Sequence, residues 1–256
     1  MELYYNNHMT ITFLGTNAWF DTETGYTPSV LIDSQKAYIV LDAGNGIYTL
    51  DRYIKDAEKP IYLFISHLHF DHITGLHLLN KFHFAQGITL VIPESLQGGF
   101  LTVFNPPYMA PYDKLHTKVT IVSVQEGKNS MPVPFEAFKM FHSSTDFGYR
   151  FTLEQKVIAY SGDTGICDNE RPLAAGADVL IYECSNKPEY PQSSWGHMNP
   201  AEAATVAKNA GAKQLCLLHF SPEFYPDAAS RKEAEKVAQA IFPNTKAMMD
   251  DDQIVL

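Results

Sequence analysis

Short runs of apolar and β-branched residues, bounded by Gly, Pro, Asn or Asp, recur along the whole chain and read as strands. They fall at residues 9–15, 29–33, 37–43, 61–66, 88–92, 119–124, 135–142, 149–154, 156–163, 177–183 and 214–220. Helical patterns intervene at about 45–55, 72–83, 168–175, 199–210 and 227–241, the last rich in Ala, Glu and Lys. Asn199 stands where an N-cap is wanted, and Pro200 follows at the first helical position. Strands precede and follow helices in both halves. This order favours helices over the outer faces of two sheets whose inner faces bury each other, rather than an all-β sandwich. No internal repeat or low-complexity segment stands out.

One stretch breaks the alternation. Residues 93–118 combine Gly98, Gly99 and the prolines 93, 106, 107 and 111 with Phe100, Phe104, Tyr108 and Tyr112. Prolines interrupt regular structure while aromatics offer contact surface. The segment reads equally as a substrate-facing lid or as a surface loop pinned by its own aromatics.

With 256 residues, 45% hydrophobic and 19% charged, the chain can bury a core and is expected to form a single domain over 1–256. Its formal net charge of -10 opposes bulk attraction to nucleic acid, whose affinity comes mainly from Lys and Arg on phosphates. The opening MELYYNNHMT lacks the features of a secretory signal, and no apolar run approaches membrane-spanning length. Cys167, Cys184 and Cys216 are odd in number, widely spaced and without a CxxC pair, as expected of reduced, buried thiols. A cytoplasmic protein without membrane partners is expected.

The informative chemistry lies at 66–72, SHLHFDH, directly after the apolar run IYLFI. If that run is a strand, His67, His69 and Asp71 project from its tip and His72 begins the next helix. Imidazole nitrogens and a carboxylate suit zinc, manganese or iron, and the absence of nearby cysteine argues against a structural thiolate site. In a shuffled chain with 10 histidines, HxHxDH has odds on the order of one in a thousand. His8, His77, His83 and His116 are isolated and read as surface or packing residues.

SHLHFDHITG resembles the signature of the metallo-β-lactamase superfamily, and the later motifs follow in order. The resemblance implies a third histidine at His142 in KMFHSS, a bridging carboxylate at Asp163 in YSGDTG and a last histidine at His219 in LLHFS, each ending an apolar strand. It further implies an α/β fold, a four-layer αββα sandwich of two mixed sheets flanked by helices. One metal would be held by His67, His69 and His142, the other by Asp71, His72 and His219, with Asp163 bridging. Two divalent ions are implied, zinc first, with manganese or iron also suited to the ligand set. Homodimerisation also follows from the family.

Within the superfamily, GYRF, SGDT and the block GHMNPAEAATVAKNAGAKQLCLLHFS resemble the tRNase Z and phosphodiesterase branch. By that resemblance Glu183 and His197 assist catalysis; Asp71, a carboxylate at the metal edge, is within reach to accept the proton of the attacking water. Two departures argue against tRNA processing. The branch's tRNA-binding arm is inserted between the third histidine and the bridging aspartate, where this chain has only 143–162. The branch's His-Glu-Ala-Thr reads Tyr182, Glu183, Cys184, Ser185 here, and no Arg-Tyr pair follows the final His-Phe-Ser.

The expected function is therefore hydrolysis by a dinuclear centre and metal-activated hydroxide, with a cyclic nucleotide or short oligonucleotide phosphodiester as substrate. A lactonase or other ester or thioester hydrolase is the alternative enzyme, and a noncatalytic metal-binding module the alternative of another class. Outside the ligand set, Asp42 reads as partner to a ligating histidine or as a turn residue. Arg150 reads as a phosphate contact or as part of a solvated or salt-bridged strand face, and Trp195 as a base-stacking or core-covering side chain.

Overall fold

Every predicted apolar run forms a strand in the protein's structure, a computed structural model that describes residues 8–190 and 194–256. The strands are β1 (Thr10–Gly15), β2 (Ser29–Asp33), β3 (Tyr38–Leu41), β4 (Ile61–Phe64), β5 (Ile88–Pro93), β6 (Val119–Val124) and β7 (Gly127–Asn129). They continue with β8 (Phe135–Met140), β9 (Asp146–Leu153), β10 (Lys156–Tyr160), β11 (Val179–Glu183), β12 (Leu215–Leu218), β13 (Thr245–Ala247) and β14 (Gln253–Val255). Two seven-stranded sheets result, in the orders β14-β1-β2-β3-β4-β5-β6 and β13-β12-β11-β10-β9-β8-β7. The unpredicted β7, β13 and β14 are three residues each and lie at sheet edges, where pairing to a neighbour rather than hydrophobic period makes the strand.

Each sheet repeats one plan. Three antiparallel pairings are followed by three parallel ones, β14 to β3 then β3 to β6 in the first, and β7 to β10 then β10 to β13 in the second. No sequence repeat announces this likeness.

Apolar side chains lie in three layers. Phe13, Ile39 and Phe64 of the first sheet meet Phe135, Tyr149 and Ile181 of the second. Phe64 is central: its ring packs edge-on against Phe135, Phe151 and Tyr149 at 4.8, 5.0 and 5.2 Å. The outer face of the second sheet is covered by α3 (Glu170–Ala174), α4 (Pro200–Ala210) and α5 (Ala228–Gln239). That of the first is covered by 3-10 turns at Asn45–Arg52 and Thr74–Lys81, together with the short helices α1 (Phe70–Ile73) and α2 (Gln97–Val103). The two mixed sheets flanked by helices are the expected αββα sandwich.

Helix ends follow local chemistry. Asn199 accepts from the Ala201 and Glu202 amides, Glu202 returns to the Asn199 amide, and Gly211 closes α4 at φ 66°. The helices expected at 45–55 and 72–83 are instead largely 3-10. Close backbone approach explains the second: the Gly75 amide donates to Ala43 O at 2.7 Å, and a Cβ on Gly75 would stand 2.3 Å from Gly44 O. The segment 93–118 is more regular than its prolines suggest. Phe100 and Phe104 are fully buried in the outer core, in edge contact at 5.0 Å, so its aromatics pin it to the sheet.

A buried polar chain fixes the loop after β1. Arg231 of α5 is fully buried and donates to Thr16 Oγ1 at 2.7 Å and to Asn17 Oδ1, with its guanidinium over the Phe220 ring. Thr16 in turn donates to Asp250 at 2.7 Å, and the Tyr26 amide donates to the same carboxylate. Burial outweighs these donors and pushes the Asp250 carboxyl up to about 6. Between 3.8 and about 6 the folded chain keeps a proton that the unfolded chain has released, so stability falls as pH rises through that window. The contribution is at most roughly 3 kcal/mol. Asp250→Asn is expected to remove this part of the slope. Urea midpoints for both proteins at pH 4.5 and 7 test it, and parallel profiles would contradict the assignment.

Candidate metal centre

The site is assembled where strands of both sheets end on one edge. After β4 the chain leaves the first sheet, placing His67 and His69 on the connection and Asp71 and His72 within α1. The helix was expected to begin at His72; it begins at Phe70, its first turn closed by the His72 amide on His69 O at 3.0 Å, so Asp71 is a helical residue. The second sheet contributes His142 after β8, Asp163 after β10 and His219 after β12. His219 takes a left-handed φ of 59°, held by the flanking Phe220 amide on Thr16 O and the Ala18 amide on Phe220 O. Further ties cross between the sheets: Tyr149 Oη donates to Ile65 O at 2.7 Å and the Phe147 amide to Ser66 O at 3.2 Å.

All seven predicted ligand residues come together. His67, His69, His142 and Asp163 form one group able to hold a cation, and Asp71, His72 and His219 a second. Asp163 stands between them, with Oδ1 3.3 Å from His72 Nε2 and Oδ2 3.3 Å from His219 Nε2 and 3.7 Å from His67 Nε2. The four isolated histidines lie elsewhere. His8 and His77 are exposed, and His83 stacks on His116 at 4.5 Å.

Three of the inward rings are oriented from behind, whereas the buried His219 Nδ1 has no hydrogen-bond partner among the described residues. His67 Nδ1 meets Asp146 at 2.6 Å, His72 Nδ1 meets Asp42 at 2.8 Å, and His142 Nδ1 meets Gly196 O at 3.0 Å. With Nδ1–H donated to such acceptors, the Nε2 lone pair faces the cluster. Thus His142 Nε2 faces His69 Nδ1, and His72 Nε2 faces His219 Nε2, both at 3.1 Å, while buried His67 Nε2 has no hydrogen-bond partner among the described residues. Converging lone pairs with two carboxylates make a donor set that fits divalent cations of the zinc, manganese or iron kind.

Electrostatics agree with this fit. Burial pushes His67 down to about 3 and His69 to about 4, and lowers His142, so these three present neutral nitrogens. Burial would raise Asp71, but His72 and His219 outweigh it and hold the carboxyl below its usual range. The same contest, decided by His219, His72 and His67, holds Asp163 well below it. His72 differs from these three: burial lowers it, yet Asp163, Asp71 and Asp42 together raise it well above the ordinary value.

A cleft of about 240 Å³ opens over the cluster. Its polar lining is His69, Asp71, Asp163, His197 and His219, and its apolar lining is Trp19, Phe70 and Trp195. His197 and Glu183 meet as their pairing predicted: Nδ1 lies 3.0 Å from Oε1, and the carboxylate also accepts from the amides of Ser185 and Met198 at 2.8 and 3.0 Å. Burial would lower His197, but Glu183 outweighs it and raises the ring to about 9. A group carrying its own proton is better suited to donation than to ligation, although a His197 nitrogen lies within 4.8 Å of ligand atoms on Asp163 and His219.

Other expectations divide. Asp42 proves to be both turn residue and histidine partner, at φ 57° and accepting from Ser66, Tyr160 and His72. Trp195 lines the cleft. Arg150 lies outside the cleft lining and is half-buried: its guanidinium donates to Leu173 O and Ala175 O, where α3 ends. The 93–118 segment contributes nothing to the cleft lining. Asp146 and Trp19 were missed. Asp146 carries no motif of its own and matters only because β9 brings it behind His67, while Trp19 reaches the site through a backbone amide donated to Asp71 at 2.8 Å.

The chain belongs to the metallo-β-lactamase superfamily, a hydrolase family that uses divalent metals, typically zinc: the family model described as beta-lactamase superfamily domain matches residues 37–220. It is 27% identical to a ribonuclease Z of Lacticaseibacillus casei, with 96% of this chain and 95% of that protein aligned. That alignment runs over 325 positions against 256 residues here, so the relative carries segments this chain lacks. A probable metallo-hydrolase of Bacillus subtilis, YhfI, is 29% identical over 90% of this chain and 93% of its own. The crystal structure of YhfI superposes with a TM-score of 0.83 at 23% identity, covering 98% of this chain and 100% of that one. Among the described residues no helix is long and apolar enough to cross a membrane.

Asp42→Asn tests the orienting network without disturbing its backbone, because Asn accepts a left-handed φ as readily as Asp. Zinc affinity measured by equilibrium dialysis is expected to fall by about 10- to 100-fold with the far-ultraviolet spectrum unchanged. Unaltered affinity would mean that His72 needs no partner.

Proposed function

We propose that this chain is a dinuclear metal-dependent phosphodiesterase acting on small diesters such as cyclic nucleotides or short oligonucleotides. His67, His69 and His142 would hold one ion, Asp71, His72 and His219 the other, and Asp163 would serve both. Zinc is the first candidate, with manganese or iron also compatible with nitrogen and carboxylate donors. Ions bound there would supply Lewis acidity toward a phosphoryl oxygen and lower the pKa of a water near neutral pH.

The observation that carries the reading is His197, backed by Glu183 at 3.0 Å and facing the cleft beside Asp163 and His219. Its outer nitrogen donates to a phosphoryl oxygen or to the departing alkoxide, and Glu183 keeps the ring from turning away. Asp71, on the cleft lining with its carboxylate fixed by the Trp19 amide, takes the proton of the attacking water. A carboxylic ester has less need of such a donor at a second oxygen, which is why a lactonase is the weaker reading. The ribonuclease Z likeness also favours phosphorus, whereas the short interval from His142 to Asp163, filled by β9 and β10, leaves no arm to hold a tRNA.

Metal content of the purified protein and hydrolysis of bis(p-nitrophenyl) phosphate form the decisive experiment. In Asp163→Ala both ions are expected to be lost together, and retention of one would contradict the shared carboxylate. In His197→Ala metal content is expected to hold while diester turnover drops roughly ten- to ten-thousandfold. Full turnover by that variant would refute the phosphodiesterase reading. Loaded metal without diester turnover in the wild type would point to lactones or thioesters, and inactivity on those as well to a noncatalytic metal-binding module.

A further inference from the structure

Three aromatic side chains from distant parts of the chain line the cleft while leaving much of their surface in solvent. Trp19 is 61% exposed, Phe70 72% and Trp195 50%. Large apolar side chains normally leave water, so three converging on one small opening call for a ligand rather than a core. The two indoles form one surface, with centroids 6.1 Å apart and planes tilted by 43°. Trp195 also abuts His69 at 6.0 Å, so this surface begins at the ligand cluster itself.

The presentation of Trp19 is enforced. Its backbone has φ 62°, an uncommon conformation for a bulky residue. The surrounding loop fixes it there: Asn17 Nδ2 donates to Phe20 O and Gly25 O, Arg231 holds the Asn17 carbonyl, and the Trp19 amide donates to Asp71. The indole is thereby set beside the carboxylate assigned above to proton transfer.

The rest of the lining narrows the ligand. Among the described residues it contains no Lys or Arg, so nothing there would neutralise phosphates beyond the one at the ions. Its volume of about 240 Å³ lies below the roughly 300–1,000 Å³ of pockets for drug-sized ligands. A polyphosphate or a long strand finds neither charge nor room, whereas a single planar ring system finds an extended apolar face.

We propose that Trp19, Phe70 and Trp195 form a stacking platform for a nucleobase, making a singly charged, base-bearing phosphodiester the substrate class of this site. The proposal rests on the phosphodiesterase reading. Stacking on aromatic side chains tolerates any base, so the platform selects for the presence of a base rather than its identity.

Trp19 and Trp195 are the two tryptophans of the chain, so intrinsic tryptophan fluorescence reports on the platform alone. The zinc-loaded protein is titrated with adenosine 5′-monophosphate and with ribose 5-phosphate, which differ by the base. Inhibition constants against bis(p-nitrophenyl) phosphate are measured in parallel. The nucleotide is expected to quench fluorescence saturably and to bind roughly tenfold to hundredfold tighter than the sugar phosphate. Trp19→Leu and Trp195→Leu are each expected to reduce that ratio, chiefly by weakening the nucleotide. Equal binding of the two ligands by the wild type, with diester turnover intact, overturns the platform and leaves the phosphodiesterase reading standing. A preference that survives both substitutions also overturns it, because the base is then read elsewhere. Selective quenching in a protein that turns over no diester supports the platform and removes the reading beneath it.

Discussion

A buried imidazole whose rear nitrogen is tied down keeps one tautomer and one orientation, and this constraint organises much of the ligand edge. Asp146 does it for His67, Asp42 for His72, the Gly196 carbonyl for His142 and Glu183 for His197. The anchors are as deeply placed as the rings they serve. Asp42 also gathers Ser66 and Tyr160, so a residue of the first sheet's loop is bonded to the last residue of β10 in the second. Removing such a partner would leave a buried polar group without compensation, which is costly in a low-dielectric interior.

The consequence for catalysis is preorganisation. His67, His69 and His142 are held neutral by burial, while Asp71 and Asp163 keep their charge because histidines surround them. The site therefore offers lone pairs and negative charge at fixed positions, in a protein whose overall charge of -10 would otherwise repel an anionic substrate. On the phosphodiesterase reading, attraction for such a substrate would have to be local, arising from bound ions and His197, with aromatic surface rather than added cations alongside.

How much of this was legible in the sequence depended on the range of the cause. Strand cores were visible because each carries its own apolar run, and α4 because Asn199 and Pro200 mark its start locally. The convergence of the seven candidate ligands was legible because metal chemistry demands particular residue types at strand ends, which a family resemblance could place in order. Edge strands of three residues were not, since neighbours make them. Asp146 and Arg231 were hidden for a related reason: an ordinary acid after a serine–threonine run, and an arginine on an amphipathic helix, acquire meaning only from what the fold sets beside them. Arg150 shows the converse, a residue of suggestive type whose nearest acceptors turned out to be the final carbonyls of a helix.

The two sheets follow the same order of pairings, yet neither carries a complete set of donors. His67, His69, Asp71 and His72 ride on the first, and His142, Asp163 and His219 on the second. The distances between these groups are thus set by the thickness of the layer between the sheets. Phe64, three residues before His67 and wedged among Phe135, Tyr149 and Phe151, acts as a spacer that sets that thickness beside the site. A smaller or larger side chain there would touch neither ion nor substrate, yet it would alter reactivity by changing the gap across which the halves of the active centre face each other.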